Sequence, residues 1–204
     1  MKKSKLYHGF VLMLLTLFIS AAAGCGTVVQ EPGPSSSPVT GKVPLENTFQ
    51  EGAFGFTMRY PDDWVYEASG YTVTFSGKKD TAAYYSTVNI QNLASIKSGG
   101  TYENVDSVIS DFKQQLGTAS NTKVYNEKTF VYTMEDGEKL TGGQFTAEYT
   151  YQGEAFKQIQ VAVPRSDGEA FHAWAYTSPI GQFDTYLGIA QAMLNSWVIH
   201  PVLK

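Results

Sequence analysis

Cysteine occurs once in these 204 residues and histidine only three times. A single cysteine excludes a disulfide framework within the chain, so the fold has to rest on core packing. The histidines, His8, His172 and His200, stand far apart, and no His/Cys cluster has the spacing of metal ligands. We therefore expect no metal and no cofactor. A nucleophile elbow, a phosphate-binding loop and a dinucleotide fingerprint are also missing. Basic residues are short as well, with 15 Lys and Arg against 19 Asp and Glu and a net charge of −4. Nucleic acids and anionic membrane surfaces ask for clustered Lys and Arg, so neither is an expected partner. The apolar run at residues 10–19 is too short for a comfortable transmembrane helix.

What is there begins with an address. Met1-Lys2-Lys3-Ser4-Lys5 is basic, the apolar run follows, and Ser20-Ala21-Ala22-Ala23-Gly24 is small, the order of a secretory signal over residues 1–24. Cys25 directly follows Ala22-Ala23-Gly24, which resembles a bacterial lipobox, although a lipobox usually has Leu where Ala22 stands. The expectation is lipidation of Cys25 by a diacyl, palmitate-type anchor, which carries enough buried methylenes for stable membrane attachment. Ordinary cleavage ahead of a free thiol is the alternative. Loss of Lys2, Lys3 and Lys5 with the signal leaves 12 basic residues against 19 acidic, a net charge of −7. Residues 25–44, rich in Pro, Ser, Gly and Thr, read as a flexible linker.

From residue 45 to residue 204 the chain is long enough for one substantial core, and 43% hydrophobic and 14% aromatic residues supply it. Its centre is a run of three strands. Phe145, Ala147, Tyr149 and Tyr151 alternate with polar residues up to the Gln152-Gly153 turn. Ile159, Val161 and Val163 alternate up to Pro164, and Arg165-Ser166-Asp167-Gly168 turns the chain again. Residues 170–177 are apolar on both faces, with Phe171, Ala173 and Ala175 on one and His172, Trp174 and Tyr176 on the other. Such a strand wants cover on both sides.

Earlier strands are expected at 54–60, 64–67, 71–75 and 84–93, with Pro61-Asp62-Asp63 turning between the first two, and a further strand or hairpin at 124–134. Val105, Val108, Ile109, Phe112 and Leu116 fall at helical spacing, with Asn104 placed to cap the start and Gly117 to end the helix. A last helix carries Phe183, Leu187, Ala190, Leu194 and Trp197 on one face.

Asp62 and Asp63 read as turn residues, and Glu135-Asp136-Gly137-Glu138 as a solvated turn that lacks the alternating ligands of a calcium loop. The surplus is aromatic: 13 Tyr and 12 Phe. Tyr71, Tyr84, Tyr85, Tyr102, Tyr149, Tyr151 and Tyr176 are candidates to line a groove, although strands favour aromatics in any case. Tyr149, Tyr151 and His172 are the candidate binding residues, at a rim of the sheet that reaches solvent.

Phe56-Thr57-Met58-Arg59-Tyr60-Pro61-Asp62-Asp63-Trp64, followed by a strand-rich middle, a helix, a meander and the closing Ile189-Ala190-Gln191-Ala192-Met193-Leu194-Asn195-Ser196-Trp197 helix, resembles the PsbP-like, Mog1-like superfamily over residues 45–200. The resemblance implies an α+β fold, a central antiparallel β-sheet flanked by helices on both faces in an α/β/α sandwich. Members of that superfamily are mostly adaptors, including extrinsic subunits of photosystem II, a nuclear-transport factor and bacterial lipoproteins, and no functional residue carries over from them. The resulting expectation is a non-enzymatic domain, lipid-anchored on the extracytoplasmic face of a cell membrane, that binds or helps assemble a protein partner. A glycan or small-molecule module with an aromatic-lined surface is the alternative, and a hydrolase with a dispersed site a third.

Overall fold

Alternating sequence becomes strand over most of the chain, as the structure, a computed structural model, shows for residues 44–50 and 52–200. The expected signal, Cys25 and linker residues 25–43 lie outside the described residues. In chain order the elements are β1 (Asn47–Gln50), β2 (Phe56–Tyr60), β3 (Trp64–Ser69), β4 (Thr72–Gly77), β5 (Thr87–Ala94), α1 (Val105–Leu116), β6 (Ser120–Thr133), β7 (Lys139–Tyr151), β8 (Glu154–Pro164), β9 (Ala170–Pro179), α2 (Phe183–Asn195) and β10 (Val198–Ile199). A seven-stranded sheet runs β3-β4-β5-β9-β8-β7-β6, and a three-stranded one runs β1-β2-β10. Every pairing between these strands is antiparallel. The molecule is thus mostly antiparallel sheet with two helices among its described residues.

The expected meander is β7, β8 and β9. Gln152 and Gly153 turn β7 into β8 with both φ angles positive, 51° and 87°, which matches the right-handed twist of the strands they join. The second turn closes with Gly168 N donating to Arg165 O at 2.9 Å, and Arg165 pairs with Asp167 across it. β9 lies inside the sheet between β5 and β8 and is buried from Ala170 to Tyr176. Its alternate residues enter different cores. Phe171 and Ala173 join Val108, Phe112 and Leu116 of α1, whereas Trp174 and Tyr176 join Ala190 and Met193 of α2 and Phe49, Phe56 and Met58 of the small sheet. Full burial of a large side chain such as Trp174 or Phe145 contributes about 1.5–3 kcal/mol.

α1 starts and stops where its caps require. Asn104 Oδ1 accepts from Ser107 N at 2.9 Å, Ser107 Oγ accepts from Asn104 N at 3.2 Å, and Gly117 follows the last turn.

Two expectations need correction, one alternative is decided, and one element was missed. The strand expected at 84–93 begins only at Thr87, because Ala82–Tyr85 forms a short 3-10 turn whose Ala83 packs against Gly77. Of the strand or hairpin expected at 124–134, the strand forms: residues up to Thr133 belong to one long strand, β6, bent by two register shifts against β7, and Met134 opens the turn that follows. The last helix ends at Asn195 rather than Trp197. Ser196 Oγ accepts from Arg59 N at 3.0 Å and donates to Met193 O at 2.8 Å, which turns the chain onto β2 as β10. Consequently the buried positions of α2 are Phe183, Ala190 and Met193, and Leu187 and Leu194 are only partly buried. Finally, the small sheet was not legible in the sequence: β1 has one buried side chain, Phe49, in four residues.

Candidate functional site

His172, Tyr149 and Tyr151 were expected at a solvent-reaching rim, and the structure corrects this for the first two. β9 carries His172 into the interior, where it is 1% exposed. Its Nδ1 lies 2.6 Å from Asn92 Oδ1 on the paired strand β5. Asn92 Nδ2 donates to Phe54 O at 2.8 Å, so Oδ1 is the accepting end of the amide and the imidazole proton sits on Nδ1. That leaves Nε2 as an acceptor, and it has no hydrogen-bond partner. The rings of Phe56 and Trp197 meet His172 edge-on at 6.2 Å and 6.1 Å. Burial, aided by Arg165 and opposed by Asp167, holds the imidazole pKa down to about 4. The group is neutral at physiological pH and acts as a polar pin between strands.

Tyr149 is 4% exposed and belongs to the α1 core. It stacks on Phe156 at 5.9 Å, donates to Gln158 Oε1 at 3.3 Å, and has its pKa pushed up to about 12 by burial. Tyr151 is half-buried and its hydroxyl accepts from Gln152 Nε2 at 3.3 Å. Since Tyr149 and His172 belong to opposite sets of β-strand positions, one in the α1 core and one against Phe56 and Trp197, the three residues do not form one surface. The signal that marked them, aromatic character in the central strands, is the signal of core packing.

The other tyrosines are dispersed. Tyr176 is fully buried, and its hydroxyl donates to Phe183 O at 2.8 Å. Tyr102 donates to Asp111 Oδ2 of α1 at 2.6 Å, and burial together with that carboxylate raises its pKa. Tyr71 and Tyr85 are exposed, the first at the β3–β4 turn and the second in the 3-10 turn before β5. Asp62 and Asp63 occupy an exposed turn in which Trp64 N donates to Pro61 O at 3.2 Å, and Asp136 Oδ1 accepts from Glu138 N at 2.9 Å in the other acidic turn. Both behave as conformational residues. No group of three or more His, Cys, Asp or Glu placed to hold a metal ion occurs among the described residues.

Sequence reading expected the strand at 64–67 but did not single it out as exposed, and β3 proves to be a sheet edge. Val65 and Tyr66 are exposed at 44% and 43% on opposite faces of the strand, and Tyr66 rests one edge on Phe49 at 5.1 Å and on Tyr60 at 5.9 Å. The signal was present, since this strand is bounded by a Pro-Asp-Asp turn and Gly70 and carries one charge, but its position at the sheet edge follows only from strand order.

No protein-family model matches the chain, and no curated protein sequence matches it. Solved structures do match in fold. Cyanobacterial PsbP from Synechocystis is 14% identical with a TM-score of 0.50, over 83% of this chain and 100% of its own. The Ran-binding protein Mog1p of Saccharomyces cerevisiae is 8% identical with a TM-score of 0.51, over 78% of this chain and 97% of its own. A protein of unknown function from Pseudomonas aeruginosa, described as a putative regulator, is 14% identical with a TM-score of 0.50, over 76% and 98%. The fold is therefore PsbP/Mog1-like, as the sequence resemblance implied. Identities this low establish the fold alone.

Proposed function

We propose that this chain is a non-enzymatic protein-interaction domain, held by a lipid on Cys25 at the extracytoplasmic face of a membrane. Its core layering is read as α/β/α, with α1 and α2 serving the cores fed by alternate residues of β9. The observation that carries the interaction reading is the exposed edge strand β3, which bares Val65 on one face and Tyr66 on the other, while the other candidate aromatics are taken up by packing or scattered. An exposed strand edge suits a macromolecular partner better than a small ligand, which asks for a concave site. The Ran-binding role of Mog1p supports the reading by analogy of fold. The anchor rests on the sequence order around Cys25.

Crosslinking in intact cells followed by pull-down of the full-length chain tests the interaction. A reproducible protein partner is expected, and its absence would sink the proposal. For the anchor, Cys25→Ala is expected to leave the membrane fraction; retention equal to that of the unaltered chain would refute lipidation as the attachment.

A further inference from the structure

The seven-stranded sheet has two edges, β3 and β6, and they are built differently. β6 is interrupted by two register shifts, holds Asn121 and Asn126 at positive φ, and presents Lys123, Glu127 and Lys128. Bulges and charges of this kind keep an edge from pairing with another strand. β3 has neither protection. It pairs with β4 residue for residue over Trp64–Ser69, with no bulge, no proline and no lysine, and its one charge is Glu67.

Hydrogen-bond phase decides which backbone groups of β3 are free. Gly70 and Tyr71 make a two-residue turn between the paired Ser69 and Thr72, and Lys78 N donates to Asp63 O at 3.3 Å. Both place the odd-numbered residues in the hydrogen-bonded positions toward β4. The N–H and C=O groups of Tyr66 and Ala68 therefore point outward from the sheet. The outward N–H of Trp64 is already given to Pro61 O at 3.2 Å.

We propose that β3 is a strand-addition site, at which an extended segment of a partner protein pairs antiparallel with Tyr66 and Ala68 and sets a Lys or Arg side chain opposite Glu67. This rests on the protein-interaction reading above and names its surface and the chemistry of its partner. Backbone bonds supply affinity in such pairing, and alternate side chains supply specificity. The cation follows from Glu67, which is exposed and in no ion pair among the described residues. A second copy of this chain fits poorly. Pairing Tyr66 with Ala68 of another copy uses the outward groups of both but places Glu67 against Glu67 at the close, non-hydrogen-bonded position, where like charges repel. Centring the pair on Tyr66 instead demands the Trp64 N–H that Pro61 holds.

The test pans the full-length chain in detergent micelles against a random-peptide display library, then follows amide exchange with an enriched synthetic peptide bound. Peptides that alternate apolar residues and carry Lys or Arg are expected, with new protection at Tyr66 and Ala68. Ala68→Pro removes an outward N–H and spares the bonds to β4, and Glu67→Lys reverses the charge; each is expected to weaken binding at least about tenfold. Val131→Lys on the β6 edge is expected to leave it unchanged. Should Ala68→Pro fail to fold in a thermal melt, Glu67→Lys carries the decision. Unchanged affinity in the folded variants, protection on another element, or no enriched peptide overturns strand addition at β3, and a partner still recovered by crosslinking then leaves the interaction reading intact. A concentration-dependent dimer abolished by Glu67→Lys or Ala68→Pro overturns the heterologous partner.

Discussion

His172 on β9 and Asn92 on β5 face each other across paired strands with 2.6 Å between Nδ1 and Oδ1. Asn92 passes the connection on to Phe54 O, so one polar chain ties the large sheet to the turn that leads into β2. The imidazole has no acceptor ready for a second proton, because its Nε2 faces no hydrogen-bond partner and Phe56 and Trp197 flank the ring.

Acid should therefore weaken the fold through this residue. The folded pKa of His172 is about 4, below the ordinary value of 6.5. Between those values the unfolded chain takes up a proton that the folded chain refuses. Stability is thus at its full value above about pH 6.5 and falls through the window, with the loss complete below the folded pKa. The size of that loss is on the order of 3 kcal/mol. Urea unfolding at about pH 7.5 and about pH 4.5 checks it, with His172→Gln as the comparison. Asp167, whose pKa Arg165 lowers, loses its own contribution at still lower pH. If the unaltered chain and His172→Gln lose equal stability across the window, the imidazole is not the source.

Removing the start signal of α1 is expected to cost about 1 kcal/mol. Asn104→Ala deletes the acceptor of the Ser107 N–H and half of a reciprocal capping pair. Chemical denaturation measures the change, and a variant as stable as the parent would show that packing of Val108, Phe112 and Leu116 alone sets the helix boundary.

Gly142 is expected to tolerate no side chain. A Cβ there would lie 2.2 Å from Ala162 O and 2.7 Å from a methyl of Val163 on β8. Gly142→Ala must push β7 away from β8 and is expected to destabilise by about 1–3 kcal/mol, as overpacking does. A melting temperature equal to that of the parent would mean that the strands can part there without loss.

On α2 the order of truncation costs separates the observed face from the periodic one. Met193 is fully buried, so Met193→Ala is expected to cost about 2–5 kcal/mol, whereas Leu187→Ala and Leu194→Ala, at half-buried positions, cost less. Equal costs for all three in denaturant titrations would place the helix differently on its core.

Local rules carried the sequence reading a long way where one element obeys one period. Asn104 and Gly117 bracket α1 as read, and Gln152-Gly153 turns β7 into β8 as read, because capping and turn chemistry act within a few residues. The misreadings share a cause in partners distant along the chain. Trp197 leaves the helical face because Ser196 finds Arg59, and β1 exists because β2 is there to pair with it. Legibility of the candidate site was poorer for a related reason. An aromatic in a strand looks the same in sequence whether it faces a helix or water, so His172 and Tyr149 pointed inward unannounced. Edge position, which singles out Val65 and Tyr66, is a property of strand order and of no single stretch.

The small sheet has a mechanical consequence. β1 and β10 both pair antiparallel with β2, β1 entering opposite Tyr60 and β10 leaving opposite Phe56, at the two ends of the same strand. Tension applied between residue 44 and residue 200 draws these outer strands in opposite directions along β2. Their hydrogen bonds are then loaded side by side in shear instead of being opened one after another. Arg59 also bonds to Leu45 O and Ser196, the residues that lead into β1 and β10. A pull from either end of the domain meets the same clasp before it reaches the large sheet.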